Sequence, residues 1–209
     1  MLKWIFFDIG STLVDEKKSY WAFAERCSSC LKTVGVTITA QNFFDKMSEI
    51  SARGGEPVKE AWEEWAPATL SRPLWSHLLD ESYPETLETL AYLSKSYHLG
   101  IIANQGKGLE ERLGQLGIRP YFEIIVSSSD FGVKKPDLAI FQLTLEQADC
   151  HPEESLYIGD RVDNDIVPAK TIGMRTIRIL QGLGALNPES SQYPSDIVMT
   201  NLSELKNIL

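Results

Sequence analysis

Short apolar runs alternate with helical patterns over most of the chain's second half, and this alternation constrains the fold more than any other feature. A turn and a helix pattern follow each run; the runs comprise residues 98–104, 122–127, 156–158 and 174–179. Strands that alternate with helices form a parallel sheet, because a crossover must return the chain to the same end of the sheet. The sequence therefore predicts an α/β fold, a doubly wound parallel sheet with helices on both faces.

The N-terminal run Trp4–Phe7 is a further strand pattern, and it ends in a single carboxylate, Asp8. Gly10 and Ser11 then break the strand. In an open parallel sheet ligands bind beyond the carboxyl ends of the strands, so Asp8 is predicted to lie at the ligand-binding edge. Taken alone, the stretch is explained equally well as a buried strand whose turn carries an incidental aspartate.

Residues 16–80 lack a buried-strand run and carry helical periodicity, with apolar residues at spacings of three and four from Trp21 to Val34. This pattern indicates a helical insertion between the first strand and the rest of the sheet. We therefore expect an α/β core of residues 1–15 and 81–209 and a small helical cap of residues 16–80. The tryptophans of this segment are expected mainly to fill its own core.

Composition argues against several function classes. No apolar run approaches the roughly 20 residues that span a bilayer, and the first strand starts too early to follow a signal peptide, so we expect a cytoplasmic protein without a membrane partner. The net charge of −9 argues against nucleic acid as a partner, because binding to phosphate backbones needs clustered Lys and Arg. The three cysteines are expected to be reduced. The sequence leaves the oligomeric state open.

Two further segments carry chemistry. A basic pair precedes a proline within residues 130–141, and the strand at 156–158 runs into the carboxylate-rich residues 159–166. With the segment around Asp8, and in this order, they resemble the haloacid-dehalogenase-like hydrolase superfamily, a group of mostly magnesium-dependent phosphatases. The resemblance covers nearly the whole chain. It implies a Rossmann-like core, a small phosphorylated substrate, and a cap that closes over the active site and sets substrate choice.

The resemblance assigns the covalent chemistry to two residues. Asp8 would be the nucleophile that attacks phosphorus, and the acyl phosphate it forms would split one difficult displacement into two easier steps. Lys135 would bridge the nucleophile and the phosphoryl oxygens, where a positive charge stabilises the transition state. The neighbouring Lys134 is expected to be a solvated lysine.

The resemblance also implies a Mg²⁺ site. Its ligands would be the carboxylates of Asp8 and Asp160 and the backbone carbonyl of Gly10, and hard oxygen atoms are the ligands that Mg²⁺ prefers. Asp165 would hold this set of ligands in place. Asp163 is an alternative to Asp165, and the sequence does not rank the two.

Two positions depart from the pattern of the family's phosphatases. Those enzymes have a second aspartate where this chain has Gly10, and that aspartate protonates the leaving oxygen and later activates water; glycine cannot transfer a proton. A serine or threonine hydroxyl normally holds the phosphate where this chain has Ala103. The next residues offer amide groups as candidate substrate-binding groups, and these residues are Asn104, Gln105 and Gly106.

These departures leave three functions open. The first is a phosphatase that acts through Asp8 and prefers leaving groups that need no protonation. The second is a hydrolase of the same fold that cleaves a haloacid or a phosphonate; a dehalogenase needs no metal, and a phosphonate hydrolase would need a Schiff-base lysine from the cap. The third is a module that binds metal and phosphate without turnover. The retained metal carboxylates favour the first function, and a large gain in activity for Gly10→Asp would indicate a site that lacks only its acid.

Overall fold

The structure, a computed structural model, describes residues 1–209. In chain order its strands and helices are β1 (Trp4–Phe7), β2 (Val14–Asp15), α1 (Lys17–Lys32), α2 (Ala40–Ala52), α3 (Pro57–Trp65), β3 (Glu81–Ser82), α4 (Thr86–Leu93), β4 (His98–Ala103), α5 (Leu109–Gln115), β5 (Ile124–Ser127), α6 (Ser128–Phe131), α7 (Leu138–Gln147), β6 (Ser155–Gly159), α8 (Val167–Thr171), β7 (Arg175–Ile179), β8 (Ile197–Met199) and α9 (Leu205–Ile208).

Six strands form one sheet in the order β5-β4-β1-β6-β7-β8, and all neighbouring pairs are parallel. The predicted α/β class is therefore confirmed. Strand β1 lies inside the sheet, with β4 and β5 on one side and β6, β7 and β8 on the other. Such a reversal of strand order opens a crevice at the carboxyl ends of the strands that flank it, and ligands bind in that crevice. Asp8, the residue that follows β1, lies at this position.

Helices cover the sheet on both faces. Ile5 and Phe7 of β1 join a cluster with α4, α5 and α9, whereas Trp4 and Phe6 join a cluster with α7 and α8. All four side chains are buried, which explains why β1 is a continuous apolar run and not an alternating one. Burial of each such side chain is worth about 1.5–3 kcal/mol, and this packing fixes the position of the strand end.

Helices α1, α2 and α3 pack around an apolar core of their own. Of the apolar positions predicted along α1, Ala24, Cys27 and Leu31 are buried, whereas Trp21 and Val34 are exposed. The cluster consists of Phe23, Ala24, Cys27, Leu31, Phe43, Met47, Ile50, Ala61 and Trp62, with Leu183 from the segment after β7. Because Leu183 completes this cluster, the helical layer is packed against the α/β core.

Buried hydrogen bonds also join the helical layer to the core. Ser51 Oγ of α2 donates to the Leu183 carbonyl at 2.6 Å, and Asn187 Nδ2 donates to the Ser51 carbonyl at 2.6 Å. The chain enters the helical layer after strand β2 and leaves it before strand β3, and these two strands pair antiparallel. The helical layer is thus held against the core at two separate places.

All three cysteines are free thiols. No helix reaches both the length and the apolar character that a bilayer crossing requires.

Candidate active site

The eight residues predicted for the site all line one cavity at the carboxyl edge of the sheet. Its volume is about 400 Å³. The predicted residues that line it are Asp8, Gly10, Asn104, Gln105, Gly106, Lys135, Asp160 and Asp165. They follow β1, β4, α6 and β6, which are far apart in the sequence. The sheet brings them together because parallel strands end at the same edge.

Lys135 is the centre of a buried polar network. Its side chain is only 2% exposed, and Nζ lies 2.6 Å from Asp165 Oδ1, 2.7 Å from Asp8 Oδ1 and 2.8 Å from the Tyr157 hydroxyl. Burial alone would lower the pKa of Lys135, but the carboxylates of Asp165 and Asp8 outweigh that effect and raise the pKa. The lysine is therefore a fixed positive charge beside Asp8. Its neighbour Lys134 is exposed, as predicted.

Two side chains hold Lys135 in place, one on strand β6 and one directly after strand β4. The Tyr157 hydroxyl accepts from Nζ and donates to the Ile102 carbonyl at 2.8 Å. Asn104 accepts from the Lys135 backbone N–H at 2.7 Å through Oδ1 and donates to the Lys135 carbonyl at 2.8 Å through Nδ2. Nothing in the sequence singles out Tyr157, because its position within a buried strand conceals the role of its hydroxyl.

The predicted phosphate-binding residues have other partners in the structure. The Asn104 amide is bound to the Lys135 backbone on both its oxygen and its nitrogen. Gln105 Oε1 accepts a hydrogen bond from Arg112 Nη2 at 2.9 Å. Both residues line the cavity with Gly106, but the Asn104 amide and Gln105 Oε1 are already hydrogen-bonded within the protein.

Three carboxylates lie together beside this network. One oxygen from each of Asp8, Asp160 and Asp165 falls within 4.8 Å of the others. Two hydrogen bonds orient Asp165. Lys135 Nζ donates to its Oδ1, and the Arg161 backbone N–H donates to its Oδ2 at 2.9 Å. Asp8 is anchored through its backbone N–H, which donates to the Ile158 carbonyl at 2.9 Å.

Asp163 and Asp165 lie on one π-helical turn, Val162–Ile166, but point to different surroundings. Asp163 is partly exposed and pairs with the Arg161 guanidinium at 2.6 Å. Asp165 is buried and belongs to the carboxylate cluster. Of the two candidates for supporting a metal, the structure places Asp165 beside Asp8.

Asp160 is a buried carboxylate without an ion-pair partner. It is 4% exposed, and a Cβ at Gly184 would overlap its carboxylate, so only glycine at position 184 leaves room for it. Burial and the nearby carboxylates of Asp165 and Asp8 raise the pKa of Asp160 well above its ordinary value. A divalent cation with oxygen ligands would offset this concentration of negative charge, so the three carboxylates fit such an ion.

Glu16 is a further acidic residue of the cavity, and no sequence motif indicates it. It precedes α1 and is 9% exposed. Its carboxylate lies next to Gly10, where an added Cβ would come 2.7 Å from Glu16 Cδ. Burial, with the nearby charges of Asp80 and Asp8, raises the pKa of Glu16 from an ordinary value of 4.5 to about 8.

The helical layer and the segment that follows it supply one wall of the cavity. The lining residues from this part of the chain are Glu16, Tyr20, Val58, Trp75 and His77. His77 Nδ1 lies 2.8 Å from Asp80 Oδ2, and Ser19 Oγ donates to Asp80 Oδ1 at 2.5 Å. Of the tryptophans, Trp75 alone reaches the cavity, while Trp62 is buried in the helical core. No lysine from residues 16–80 lines the cavity.

Comparison with known proteins places the chain in a known family of hydrolases. Residues 5–179 match the model of the haloacid dehalogenase-like hydrolases, and the chain belongs to this family. The resemblance seen in the motifs is therefore confirmed.

Relatives with assigned names cover nearly the whole chain. The chain is 32% identical over 225 residues to a glyceraldehyde 3-phosphate phosphatase of Methanocaldococcus jannaschii, covering all of this chain and 97% of the relative. It is 30% identical to a phosphoglycolate phosphatase of Aquifex aeolicus, covering 93% and 94% of the two chains. The crystal structure of a phosphatase of the same family from Thermococcus onnurineus matches with a TM-score of 0.72 at 24% identity, covering 99% and 97%, so the fold is shared.

Proposed function

We propose that this hydrolase is a magnesium-dependent phosphatase that acts on a small phosphorylated metabolite through an aspartyl-phosphate intermediate on Asp8. The observation that carries the proposal is the 2.7 Å contact between Asp8 Oδ1 and the buried ammonium of Lys135, at the mouth of the crevice that β1 creates. The full-length relatives named as phosphatases of glyceraldehyde 3-phosphate and of phosphoglycolate support it.

The geometry suits Asp8 to nucleophilic attack. Lys135 binds one of its two oxygens, which leaves the other to attack phosphorus. In the first step an O–P bond forms to Asp8, and the bond from phosphorus to the ester oxygen breaks with its electron pair on that oxygen. In the second step water attacks phosphorus, inorganic phosphate leaves, and the Asp8 carboxylate is regenerated.

Lys135 has two roles in this scheme. It holds Asp8 in one orientation, and its charge lies where the phosphoryl oxygens gain negative charge in the transition state. Because the ammonium is buried and bound by three oxygens, it needs little reorganisation during the reaction. The Tyr157 hydroxyl and the Asn104 amide position it from the sheet.

The charge balance of the cavity supports a Mg²⁺ requirement. The cluster holds three carboxylates against the single ammonium of Lys135, and a phosphate ester adds further negative charge. Asp8 and Asp160 would hold the ion, with the Gly10 carbonyl at the same cavity and Asp165 orienting the set. When bound, the ion supplies positive charge that offsets repulsion between the nucleophile and the phosphate.

The size of the cavity supports a small substrate. About 400 Å³ is near the lower end of the range for small-molecule sites, roughly 300–1,000 Å³. Tyr20, Trp75 and His77 also line the cavity, and we expect them to contact the leaving group. A phosphonate hydrolase would need a lysine from the helical layer in this cavity, and none lines it.

The test is hydrolysis of p-nitrophenyl phosphate by the purified protein, with and without Mg²⁺. We expect Mg²⁺-dependent turnover that Asp8→Asn abolishes. Asp45→Asn, an exposed carboxylate on α2, is the matched control and should keep full activity. Absence of turnover in folded wild-type protein, or turnover that survives Asp8→Asn, would contradict the proposal.

A further inference from the structure

The space that a side chain at position 10 would occupy is already filled. A Cβ at Gly10 would overlap the Glu16 carboxylate, with Cδ at 2.7 Å and Oε1 at 2.9 Å. The glutamate therefore places its acidic group where a short acidic side chain at position 10 would project. Position 10 is two residues beyond Asp8, so this group lies beside the nucleophile's loop.

A tight loop brings residue 16 back to residue 10. Ser11 has a φ of 55°, in the left-handed region, and its N–H donates to the Val14 carbonyl at 2.8 Å. The Leu13 and Val14 N–H groups both donate to the Ile9 carbonyl, at 2.9 and 3.0 Å. With its backbone bonded in this way, the loop fixes where α1 begins and hence where the Glu16 side chain starts.

Glu16 has no structural partner that explains its burial. It forms no salt bridge. The charged groups around it are mainly other acids, Asp80, Asp8 and Asp15, with Arg112 the only arginine among them, and its carboxylate also lies within 4.8 Å of a His77 ring nitrogen. An unpaired buried carboxylate is costly, so a fold that keeps one without a partner gains nothing in stability from it. The carboxylate lines the cavity, where it would meet a bound substrate.

The reaction needs a group of this kind. An alkyl phosphate expels an alkoxide that must receive a proton, and the water that attacks the acyl phosphate must lose one. Among the cavity's carboxyl groups, Asp8 is the nucleophile, and Asp160 and Asp165 belong to the proposed ion site. Glu16 is the remaining carboxyl group.

Given the proposed phosphatase function, on which this inference rests, we propose that Glu16 is the general acid–base of the reaction. As a carboxylic acid it gives its proton to the leaving ester oxygen when the Asp8–phosphorus bond forms. The resulting carboxylate then takes a proton from the water that attacks phosphorus, and this step restores the acid. The chain thus keeps acid–base catalysis although position 10 is glycine, because the acid enters the same space from the start of α1.

The test compares leaving groups with Glu16→Gln, which keeps the shape of the side chain. For glyceraldehyde 3-phosphate, whose alkoxide needs a proton, we expect kcat to fall by about 10²–10⁴-fold. For p-nitrophenyl phosphate, whose leaving group needs no proton, the first turnover should keep nearly the wild-type rate. Later turnovers should be slow, giving a burst of about one nitrophenolate per site. Glu63→Gln, on the exposed face of α3, is the matched control.

The outcomes separate this inference from the function on which it rests. If wild type turns over neither ester, or Asp8→Asn remains active, the phosphatase proposal itself fails. If wild type is active and Glu16→Gln keeps full activity on the alkyl ester, or loses first-turnover activity equally on both esters, Glu16 is not the acid. Wild-type turnover of the aryl ester alone would also refute a general acid in this site.

A rescue experiment tests the shared space directly. Glu16→Ala should lose alkyl phosphatase activity, and adding Gly10→Asp to it should restore at least tenfold, because the cavity left by Glu16 can then hold the new carboxyl group. Gly10→Asp alone should give no gain, since its side chain would overlap that of Glu16. A folded double variant no more active than Glu16→Ala, or a large gain from Gly10→Asp alone, would contradict the proposal.

Discussion

Replacement of Lys135 by methionine tests the charge balance of the site, since methionine keeps the length of the side chain and removes the ammonium. The lysine is the only cation that contacts Asp165, which is 1% exposed, and it also contacts Asp8. Breaking a buried ion pair by removing one partner costs about 3–5 kcal/mol, because the remaining charge is left buried without compensation. We expect Lys135→Met to lower the free energy of unfolding by that amount in metal-free buffer.

The assay is urea denaturation with EDTA, repeated with saturating Mg²⁺. Mg²⁺ should recover part of the loss, because a cation in the carboxylate cluster would offset charge that the lysine no longer offsets. Lys134→Met, at the exposed neighbouring position, is the control and should change stability by less than about 0.5 kcal/mol. Phosphatase activity of Lys135→Met should fall by about 10²–10³-fold, the cost of removing one group that stabilises transition-state charge.

A loss of stability below about 1 kcal/mol without metal would refute this account of the network. It would mean that Asp8 and Asp165 do not need Lys135 to offset their charge. The double variant Lys135→Met, Asp165→Asn provides an internal check, because removal of both partners should cost less than removal of the lysine alone.

Three further predictions concern neighbouring groups. Tyr157→Phe removes the hydroxyl that links Lys135 Nζ to the Ile102 carbonyl. We expect the free energy of unfolding, measured by urea denaturation, to fall by about 1–3 kcal/mol. An unchanged midpoint would show that the hydroxyl is not needed. Asp160→Asn removes a carboxylate whose pKa is raised by burial. In EDTA the variant should therefore melt at a higher temperature than wild type, and added Mg²⁺ should raise its melting temperature less. A lower melting temperature than wild type in EDTA would contradict this. Because the pKa of Glu16 rises from 4.5 to about 8 on folding, ionisation of its buried carboxyl group costs at most about 4–5 kcal/mol of stability. This loss is absent below pH 4.5 and grows as pH rises to about 8. Glu16→Gln should flatten this decline, and parallel pH–stability curves for wild type and variant would contradict it.

The sequence predicts the sheet well because its signals are local. Each buried strand is a short apolar run, and β1, β4, β6 and β7 begin and end within one or two residues of the predicted bounds. Because ligands bind at the carboxyl edge of a parallel sheet, the strand pattern predicts Asp8 at that edge, and the family resemblance adds Lys135 and the carboxylates after β6 to the same site. The structure places these residues in one cavity.

The sequence does not reveal contacts between segments that are distant along the chain. Asn104 was predicted to offer its amide to phosphate, yet that amide binds the Lys135 backbone, 31 residues further along the chain. The choice between Asp163 and Asp165 depends on the phase of one π-helical turn, which residue spacing does not reveal. Neither of these geometries can be read from the order of residues in the sequence.

Glu16 shows the same limit most clearly. In the sequence it is one acidic residue before a helix, and Gly10 indicates only that an acid is missing. The loop that links them depends on the backbone conformation of Ser11, which is unusual for a residue other than glycine. For this reason the sequence alone predicts a loss of acid–base catalysis unless another group supplies the proton, and it does not name that group, whereas the structure offers an acid from another position.

If Asp8 carries the phosphoryl group, the phosphorylated protein can be trapped during turnover. Wild-type protein would be mixed with p-nitrophenyl phosphate and Mg²⁺, quenched in acid within the first turnover, digested, and analysed by mass spectrometry. We expect the added mass of one phosphoryl group on the peptide that contains Asp8, and no such peptide from Asp8→Asn. A phosphoryl group on another residue, or turnover in which the Asp8 peptide is never modified, would contradict it.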